Sequence, residues 1–414
     1  MTSPVNILVL SFYYRPDLSA GSFRTTAFVE ALAAAAGDGD RVEVLTTMPN
    51  RYRSFMQDCA PTEHDDRISI YRFPTLEHHS GMFDQAVAFS RYAWRVLRHV
   101  RGRRYDLVYA TSSRLFTAFL GAVCAARMRV PLYLDIRDIF TDTIKDVLSP
   151  SRSWLLMPVL RAIERYTMGK AARVNLVSRG FRDYFASRYP KQDFSFFTNG
   201  VDDEFFGMDF RGQARADGKK VILYAGNMGE GQGLHHIVPE LAQRLGPEYE
   251  FWLVGDGGRR QELLDALEDA GLRDHVRLIP PVERSRLLEL YRGSDYLFLH
   301  LNDFDAFRKV LPSKIFEYAA TGKPVLAGVA GHAAEFLQQH VRNVAVFPPC
   351  DAAAGARALS ALQSGHTDRS EFLESYRRSR IMNEMAREVL AVCGRSAGAQ
   401  TIPTQQERGR SAQG

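Results

Sequence analysis

Val221-Ile-Leu-Tyr-Ala-Gly-Asn-Met-Gly-Glu-Gly-Gln-Gly-Leu234 is the stretch on which the reading of this chain turns. Its first five residues form a short apolar run of the kind that makes a buried strand. The segment Leu234–Leu245 behind it has the spacing of a helix. Between them, Gly226-Asn-Met-Gly-Glu-Gly-Gln-Gly233 leaves the backbone almost bare. Backbone N–H groups in such a turn can approach a phosphate closely, and the helix N-terminus adds partial positive charge. A tight turn without a ligand would use the same glycines. The next strand runs into a second turn of this kind, Val254-Gly-Asp-Gly-Gly258, which contains Gly255. Two such turns after neighbouring strands point to a nucleotide site at the carboxyl edge of a parallel sheet.

The alternation of strand and helix extends in both directions. Downstream, strands are expected at Glu250–Val254, Val276–Ile279, Tyr296–Leu299 and Val325–Ala327. Helices are expected at Arg259–Ala270, Arg284–Gly293 and Lys314–Ala320. Upstream, Asn6–Ser11, Val42–Thr46, Ile68–Phe73, Asp106–Ala110, Leu132–Asp135 and Arg173–Val177 read as strands. The helices among them are Phe23–Ala36, Phe116–Met128 and Ser153–Ala171. This pattern implies an α/β chain with parallel sheets covered by helices on both faces. It breaks once, at the turn-rich joint Phe196–Phe206 and the polar linker behind it. Two domains follow: residues 1–200, and residues 206–371 carrying the nucleotide site. The tail, 395–414, is poor in apolar residues and is expected to be disordered.

At 414 residues the chain is long enough for two cores. Its four cysteines, Cys59, Cys124, Cys350 and Cys393, form no CxxC pair, which argues against a disulfide framework or a zinc site. No stretch approaches the roughly 20 apolar residues of a spanning helix, and the N-terminus lacks the pattern of a signal peptide. A cytoplasmic protein is expected. The net charge of +5 is mild, and without a recognised motif it does not suggest nucleic acid. Part of the charge is concentrated, because Arg91, Arg95, Arg98, Arg101, Arg103 and Arg104 interleave with Trp94, Leu97 and Val100. At helical spacing this is a basic amphipathic segment. It is either a packed helix with a solvated face or a contact for anionic lipid headgroups.

A third motif lies late in the chain: Arg308-Lys-Val-Leu-Pro-Ser-Lys-Ile-Phe-Glu-Tyr-Ala-Ala-Thr-Gly-Lys-Pro-Val325. It brings Ser313, Lys314 and Glu317 to the start of a helix. Lys314 can neutralise a phosphate, and the Glu317 carboxylate can accept two ribose hydroxyls. Taken alone, an i,i+3 surface ion pair would account for the same spacing.

Together these motifs resemble the retaining glycosyltransferases of family 4, which have the GT-B fold of two facing Rossmann-like domains. The resemblance spans the chain to about Val392. It rests on the first strand with its Gly21 loop, Thr198-Asn-Gly-Val-Asp202, Gly226-Asn-Met-Gly229, Val254-Gly-Asp-Gly257, and Pro312-Ser-Lys-Ile-Phe-Glu-Tyr318 with Gly322-Lys-Pro-Val325. Arg137-Asp138, Gly231-Gln-Gly-Leu234 and Leu311-Pro-Ser-Lys314 look most like a bacterial branch of N-acetyl-deoxysugar (fucosamine-type) transferases in O-antigen and capsule pathways.

The resemblance implies that Glu317 holds the ribose and that Gly226, Asn227 and Gly229 form the diphosphate turn, with Gly255 and Ser313 among the donor contacts. It makes Lys314 a diphosphate or sugar contact. It sets Gly21 toward the phosphates from the other domain, and Arg137 and Asp138 at the lip of the cleft. It also implies that a C-terminal helix at about 372–393 packs back on the acceptor domain. The donor would be a nucleotide sugar, a UDP-sugar by family habit, and the acceptor a glycan or a polyprenyl-diphosphate-linked sugar. The enzyme would work in surface polysaccharide synthesis at the inner face of the cytoplasmic membrane.

Three positions depart from the family pattern. Lys309, counted among the expected donor contacts, stands where the first glutamate of E-x7-E would fall, Gln232 where a basic residue is common, and Thr111-Ser-Ser113 where a histidine is usual. Asp38-Gly-Asp40 and Asp303-Phe-Asp305 spell a metal-binding D-x-D, but a metal-independent enzyme is expected. Two rival readings remain: a nonhydrolysing nucleotide-sugar epimerase using His300 and Asp303, and a degenerate nucleotide-sugar binder.

Overall fold

In the computed structural model, residues 4–49, 59–75, 82–112, 115–139, 150–212 and 215–394 are described. The expected disorder of 395–414 lies outside them. The first half runs β1 (Asn6–Leu10), α1 (Ala20–Ala35), β2 (Arg41–Thr47), β3 (Thr62–His64), β4 (Ile68–Phe73), α2 (Met82–His99), β5 (Leu107–Thr111), α3 (Leu115–Met128), β6 (Leu132–Ile136), α4 (Pro150–Lys170), β7 (Arg173–Leu176), α5 (Arg182–Arg188) and β8 (Phe194–Ser195). These strands form one sheet in the order β3-β4-β2-β1-β5-β6-β7-β8. It is parallel except for β3, which pairs antiparallel with β4. β3 has the sequence Thr-Glu-His and is half exposed, so no apolar period announces it.

The second half runs β9 (Lys220–Ala225), α6 (Leu234–Leu245), β10 (Tyr249–Val254), α7 (Arg260–Asp269), β11 (Val276–Ile279), α8 (Arg284–Gly293), β12 (Tyr296–His300), α9 (Lys314–Ala320), β13 (Val325–Gly328), α10 (His332–His340), β14 (Val344–Phe347), α11 (Ala352–Leu359), α12 (Ser370–Ser375) and α13 (Arg378–Val392). Its sheet is parallel, in the order β11-β10-β9-β12-β13-β14. Both sheets are doubly wound, with apolar clusters on their two faces.

The central strands β5 and β6 are buried along their whole length, which is why they read as continuous apolar runs. At the joint the chain crosses between the halves twice, side by side. Val201 N–H donates to Tyr376 O at 2.8 Å, and Arg378 N–H donates to Val201 O at 2.8 Å. After the second crossing, α13 lays Met382, Met385, Ala386 and Val389 into the cluster that holds Phe28, Val29 and Leu32 of α1. The arginine-rich segment is not one helix. α2 ends at His99, and Arg101, Arg103 and Arg104 lie in the turn before β5, where Arg103 reaches Glu43 at 2.8 Å.

Candidate active site

The two glycine turns meet at the carboxyl edge of the second sheet. Gly226 has φ +142° and Gly255 φ +135°, a region that side chains rarely adopt. A Cβ on Gly255 would lie 2.0 Å from Gly226 O, so the turns stack with no room between them. Gly226 N–H donates to Val254 O and Met228 N–H to Asp256 O, which carries the β9–β10 pairing out through the turns. Gln232 closes the first turn from inside, its Oε1 accepting from Asn227 Nδ2 at 2.7 Å and Gly229 N at 3.3 Å. The position where a basic side chain was the family expectation therefore serves as a clamp.

α9 brings its first turn over this edge. A Cβ on Gly226 would come within 2.4 Å of Lys314 Cε and Nζ, so the ammonium lies directly against the turn. Glu317, one turn later, does not pair with Lys314. Its Oε2 accepts from Tyr291 OH at 3.0 Å and lies 3.2 Å from Arg284 Nη1. Burial opposes its charge, but Arg284 and Arg378 outweigh that and hold the carboxyl below the usual glutamate range. The surface ion pair that the i,i+3 spacing allowed is thus absent. Arg284 also reaches Asp202 at 3.2 Å and Glu204, with its guanidinium 5.1 Å from the Phe205 ring and 5.5 Å from Phe23 of α1. Asp202 in turn pairs with Arg378 at 3.0 Å.

The opposite wall comes from the first sheet. Arg24 of α1 is buried and grips Asp135 at the end of β6 with two bonds, at 2.8 and 2.9 Å. Asn175 donates to the same carboxylate at 2.7 Å, and Arg24 also donates to the carbonyls of Phe197 and Thr198. This network fixes the start of α1, the end of β6 and the joint together. Two residues beyond Asp135, Arg137 donates from Nη1 to Gly21 O at 3.3 Å, and its N–H donates to Ser112 Oγ at 2.8 Å. Asp138 follows, open to the cleft but recessed, and its low-dielectric surroundings push its carboxyl up to about 6 against the pull of Arg137.

These walls enclose one inter-domain cavity of about 410 Å³. Arg137, Asp138, Gly226, Asn227, Gly255, Ser313, Lys314 and Glu317 line it, as do Gln232 and Arg284. Gly21 stands just behind this lining, among Ser19, Ala20 and Phe23. Gly229 holds the turn and does not line the cavity. Lys309 does not line it either. It ends a short 3-10 turn that leans on the first domain, where its carbonyl accepts from Ser178 Oγ at 2.6 Å. Its ammonium sits 5.8 Å over the Tyr184 ring.

Matches to known families divide at the joint. Residues 23–200 match the model described as "Glycosyl transferase 4-like domain", and residues 208–379 match "Glycosyl transferases group 1". The chain thus carries a glycosyl transferase 4-like domain followed by a glycosyl transferases group 1 domain. Among its curated relatives is WcaI of Escherichia coli, a glycosyl transferase assigned by its name to colanic acid biosynthesis. It is 26% identical over 344 residues, covering 77% of this chain and 82% of that one. Sucrose-phosphate synthase of Thermosynechococcus elongatus superposes with a TM-score of 0.65 at 16% identity, over 99% of both chains. HepE of Anabaena, solved with UDP, gives 0.55 at 17% identity, over 95% of this chain and 98% of that one. At these identities the structures show the fold, which is GT-B.

The other candidates for metal and acid–base chemistry make contacts of their own. Asp40 accepts from Val5 N at 2.7 Å and Gly37 N at 2.8 Å, so it builds a turn. Asp303 and Asp305 flank Arg308, at 3.1 and 3.6 Å. His300 donates from Nδ1 to Gln232 O at 2.7 Å and accepts at Nε2 from Cys350 N at 2.9 Å. Burial holds its pKa down, to about 4. With both nitrogens engaged by backbone, His300 cannot exchange protons with a substrate, which removes a candidate of the epimerase reading.

Arg284, Tyr291 and Arg24 carry no mark in the sequence, and Asp202 stands there only as the end of the joint motif. The signal that could have found Arg24 is a lone aspartate in the buried run Leu132-Tyr-Leu-Asp-Ile136, which demands a buried partner. Nothing local marks Arg284, because its partners lie up to 82 residues away.

Proposed function

We propose that this group 1 glycosyltransferase moves a sugar, with retention, from a nucleoside diphosphate donor to a glycan or polyprenyl-diphosphate-linked acceptor in bacterial surface polysaccharide synthesis. The observation that carries the reading is the stacking of Lys314 on the Gly226–Gly255 pair, with Glu317 one helical turn away and Asp138 across the same cavity. The donor's ribose hydroxyls would bond Glu317 Oε1, since Arg284 and Tyr291 engage Oε2. The diphosphate would lie over the start of the turn, at Gly226 and Asn227, and against Lys314. UDP is the diphosphate we favour.

In the reaction the bond from the sugar C1 to the β-phosphate oxygen breaks, and its electron pair stays with the diphosphate. Lys314 stabilises that charge as it grows. The acceptor hydroxyl bonds to C1 on the same face, and its proton passes to an oxygen of the leaving diphosphate. Arg137 and Asp138 hold the acceptor or the donor sugar, and closure of the domains excludes water. No step requires a divalent ion. The branch resembling fucosamine-type transferases remains our preferred donor class.

The acceptor side suits a membrane surface. Trp94 of α2 is 60% exposed, with Arg98 over its ring at 5.4 Å, and Val159 of α4 is 57% exposed. No helix among the described residues is long and apolar enough to cross a membrane. We therefore place the enzyme peripherally, at the cytoplasmic face.

Turnover of nucleotide sugars, with and without an added polyprenyl-linked acceptor, tests the function. Turnover that depends on the acceptor supports transfer. Interconversion of the donor alone would mean an epimerase, and binding without turnover would mean a degenerate protein.

A further inference from the structure

Just outside the first glycine turn, on the side away from the cavity, three metal-ligating side chains converge. Glu230 begins the short 3-10 turn after Gly229, and His235 and His236 stand in the first turn of α6. One ligand atom from each can be chosen so that all lie within 4.8 Å of one another. A fourth group is near, for Glu262 of α7 lies 3.8 Å from His235 Nε2, and Glu230 lies 3.9 Å from the same atom.

His235 is the unusual member. Its side chain is 8% exposed, yet Nδ1 has no hydrogen-bond partner among the described residues. Neither carboxylate is within hydrogen-bond distance of Nε2. A buried polar nitrogen left in this way is destabilising. The two imidazoles stack with centroids 3.9 Å apart.

We propose that Glu230, His235 and His236, with Glu262 in reach, form a site for one zinc-class divalent ion that braces the glycine turn. Two imidazoles and carboxylates are the donor set of borderline metals, whereas magnesium prefers all-oxygen octahedral sites. Tetrahedral bonds of about 2.0–2.1 Å bring ligands to about 3.3 Å apart, so the cluster must contract by rotamer adjustment. Arg259 stands in the way, bonded to Glu230 Oε2 at 2.6 Å and to Glu262 Oε1. The ion would replace it there and cross-link the 3-10 turn after Gly229 to α6 and α7. Gly229 and Glu230 are adjacent, so the brace acts on the far end of the turn whose start, Gly226–Asn227, lines the cavity. The ion takes no part in bond making, and its site lies outside the proposed catalytic groups.

The test is titration of the metal-stripped full-length protein with zinc chloride, followed by calorimetry, with magnesium as a parallel arm. One equivalent of zinc should bind at micromolar concentration or tighter, and magnesium should not compete. His236→Ala removes an exposed ligand with little effect on packing, and should weaken zinc binding at least tenfold. His235→Gln should do the same. Cobalt(II) should give ligand-field bands without thiolate charge transfer, which separates this cluster from the four cysteines. Zinc should also tighten UDP binding in the wild type and not in His236→Ala. Absent zinc binding, binding unchanged in both variants, or a thiolate spectrum would overturn the site. Because the zinc titration uses no nucleotide, its outcome is independent of whether the glycosyltransferase reading holds.

Discussion

Arg284 and Glu317 stand 3.2 Å apart on the C-terminal wall of the cleft, with guanidinium Nη1 against carboxylate Oε2. One partner begins α8 and the other sits in α9, so the pair ties two helices beneath the nucleotide end of the cavity. Arg284 also spans Asp202 and Glu204 at the joint and touches Phe23 of the other domain.

Loss of Arg284 should therefore act on donor binding and on stability together. Arg284→Met leaves Glu317 recessed without its main countercharge, a change that costs roughly 3–5 kcal/mol in fully buried pairs and less here. The donor Michaelis constant should rise several-fold. Because the folded pKa of Glu317 is depressed, its stabilisation is present above the unfolded value, about 4.3, and fades as pH falls through the folded one. Thermal melts from pH 3 to 7 should show that acid-side loss in the wild type. It should be absent in Glu317→Gln and shifted to higher pH in Arg284→Met; coincident curves for all three would refute the assignment.

Asp138 should titrate in the opposite sense. Its folded pKa, about 6, lies above the unfolded value, so ionising it weakens the fold as pH rises through that point. Asp138→Asn should gain melting temperature relative to wild type at pH 8 and not at pH 4. If the carboxylate form contacts the acceptor, kcat/KM should climb through about pH 6 in the wild type and stay flat and low in the variant. A wild-type profile with no inflection there would remove Asp138 from the site.

The architecture was readable because it depends on local signals. Strand-turn-helix alternation and two glycine turns suffice to imply two parallel sheets, which the GT-B neighbours share. The grouping of Gly226, Lys314 and Glu317 followed from motif order. What escaped was made by distant pairs. Arg24 and Asp135 are 111 residues apart, and Arg284 and Asp202 are 82 apart. Lys309 was expected among the donor contacts because it aligns with a family glutamate. The 3-10 turn ending at Lys309 instead packs its backbone against Gly180, where even a Cβ would sit 2.4 Å from Lys309 O. A basic run in sequence likewise says nothing of where a helix stops, and α2 stops at His99.

Membrane affinity should be electrostatic with an apolar anchor. Each arginine near an anionic surface contributes about 1 kcal/mol, and salt screens it. In liposome flotation the protein should bind vesicles rich in anionic lipid and release at high salt. Arg98, Arg101 and Arg104 changed together to Ala should weaken binding, and so should Trp94→Ala. Equal binding to neutral vesicles, or no effect of either change, would contradict a peripheral site on this face.

Magnesium and manganese should be dispensable for turnover. Initial rates at saturating donor in excess chelator should match those with added magnesium, since neither Asp303 nor Asp305 lines the cavity. Any effect of zinc should fall on the donor Michaelis constant and leave kcat unchanged. Activity lost in chelator and restored by magnesium would require a metal in the cleft and a different chemistry.

The central claim is that Lys314 meets the departing diphosphate while Glu317 meets the ribose, and steady-state kinetics of the two single variants test it most directly. Glu317→Gln removes binding felt equally in ground and transition states, so it should raise the donor Michaelis constant and largely spare kcat. Lys314→Ala removes an interaction that strengthens as the C1–oxygen bond breaks, so kcat should fall roughly a hundred- to a thousand-fold. Both variants within about two-fold of wild type in kcat and Michaelis constant would contradict the account and leave the transferase assignment resting on fold and family alone.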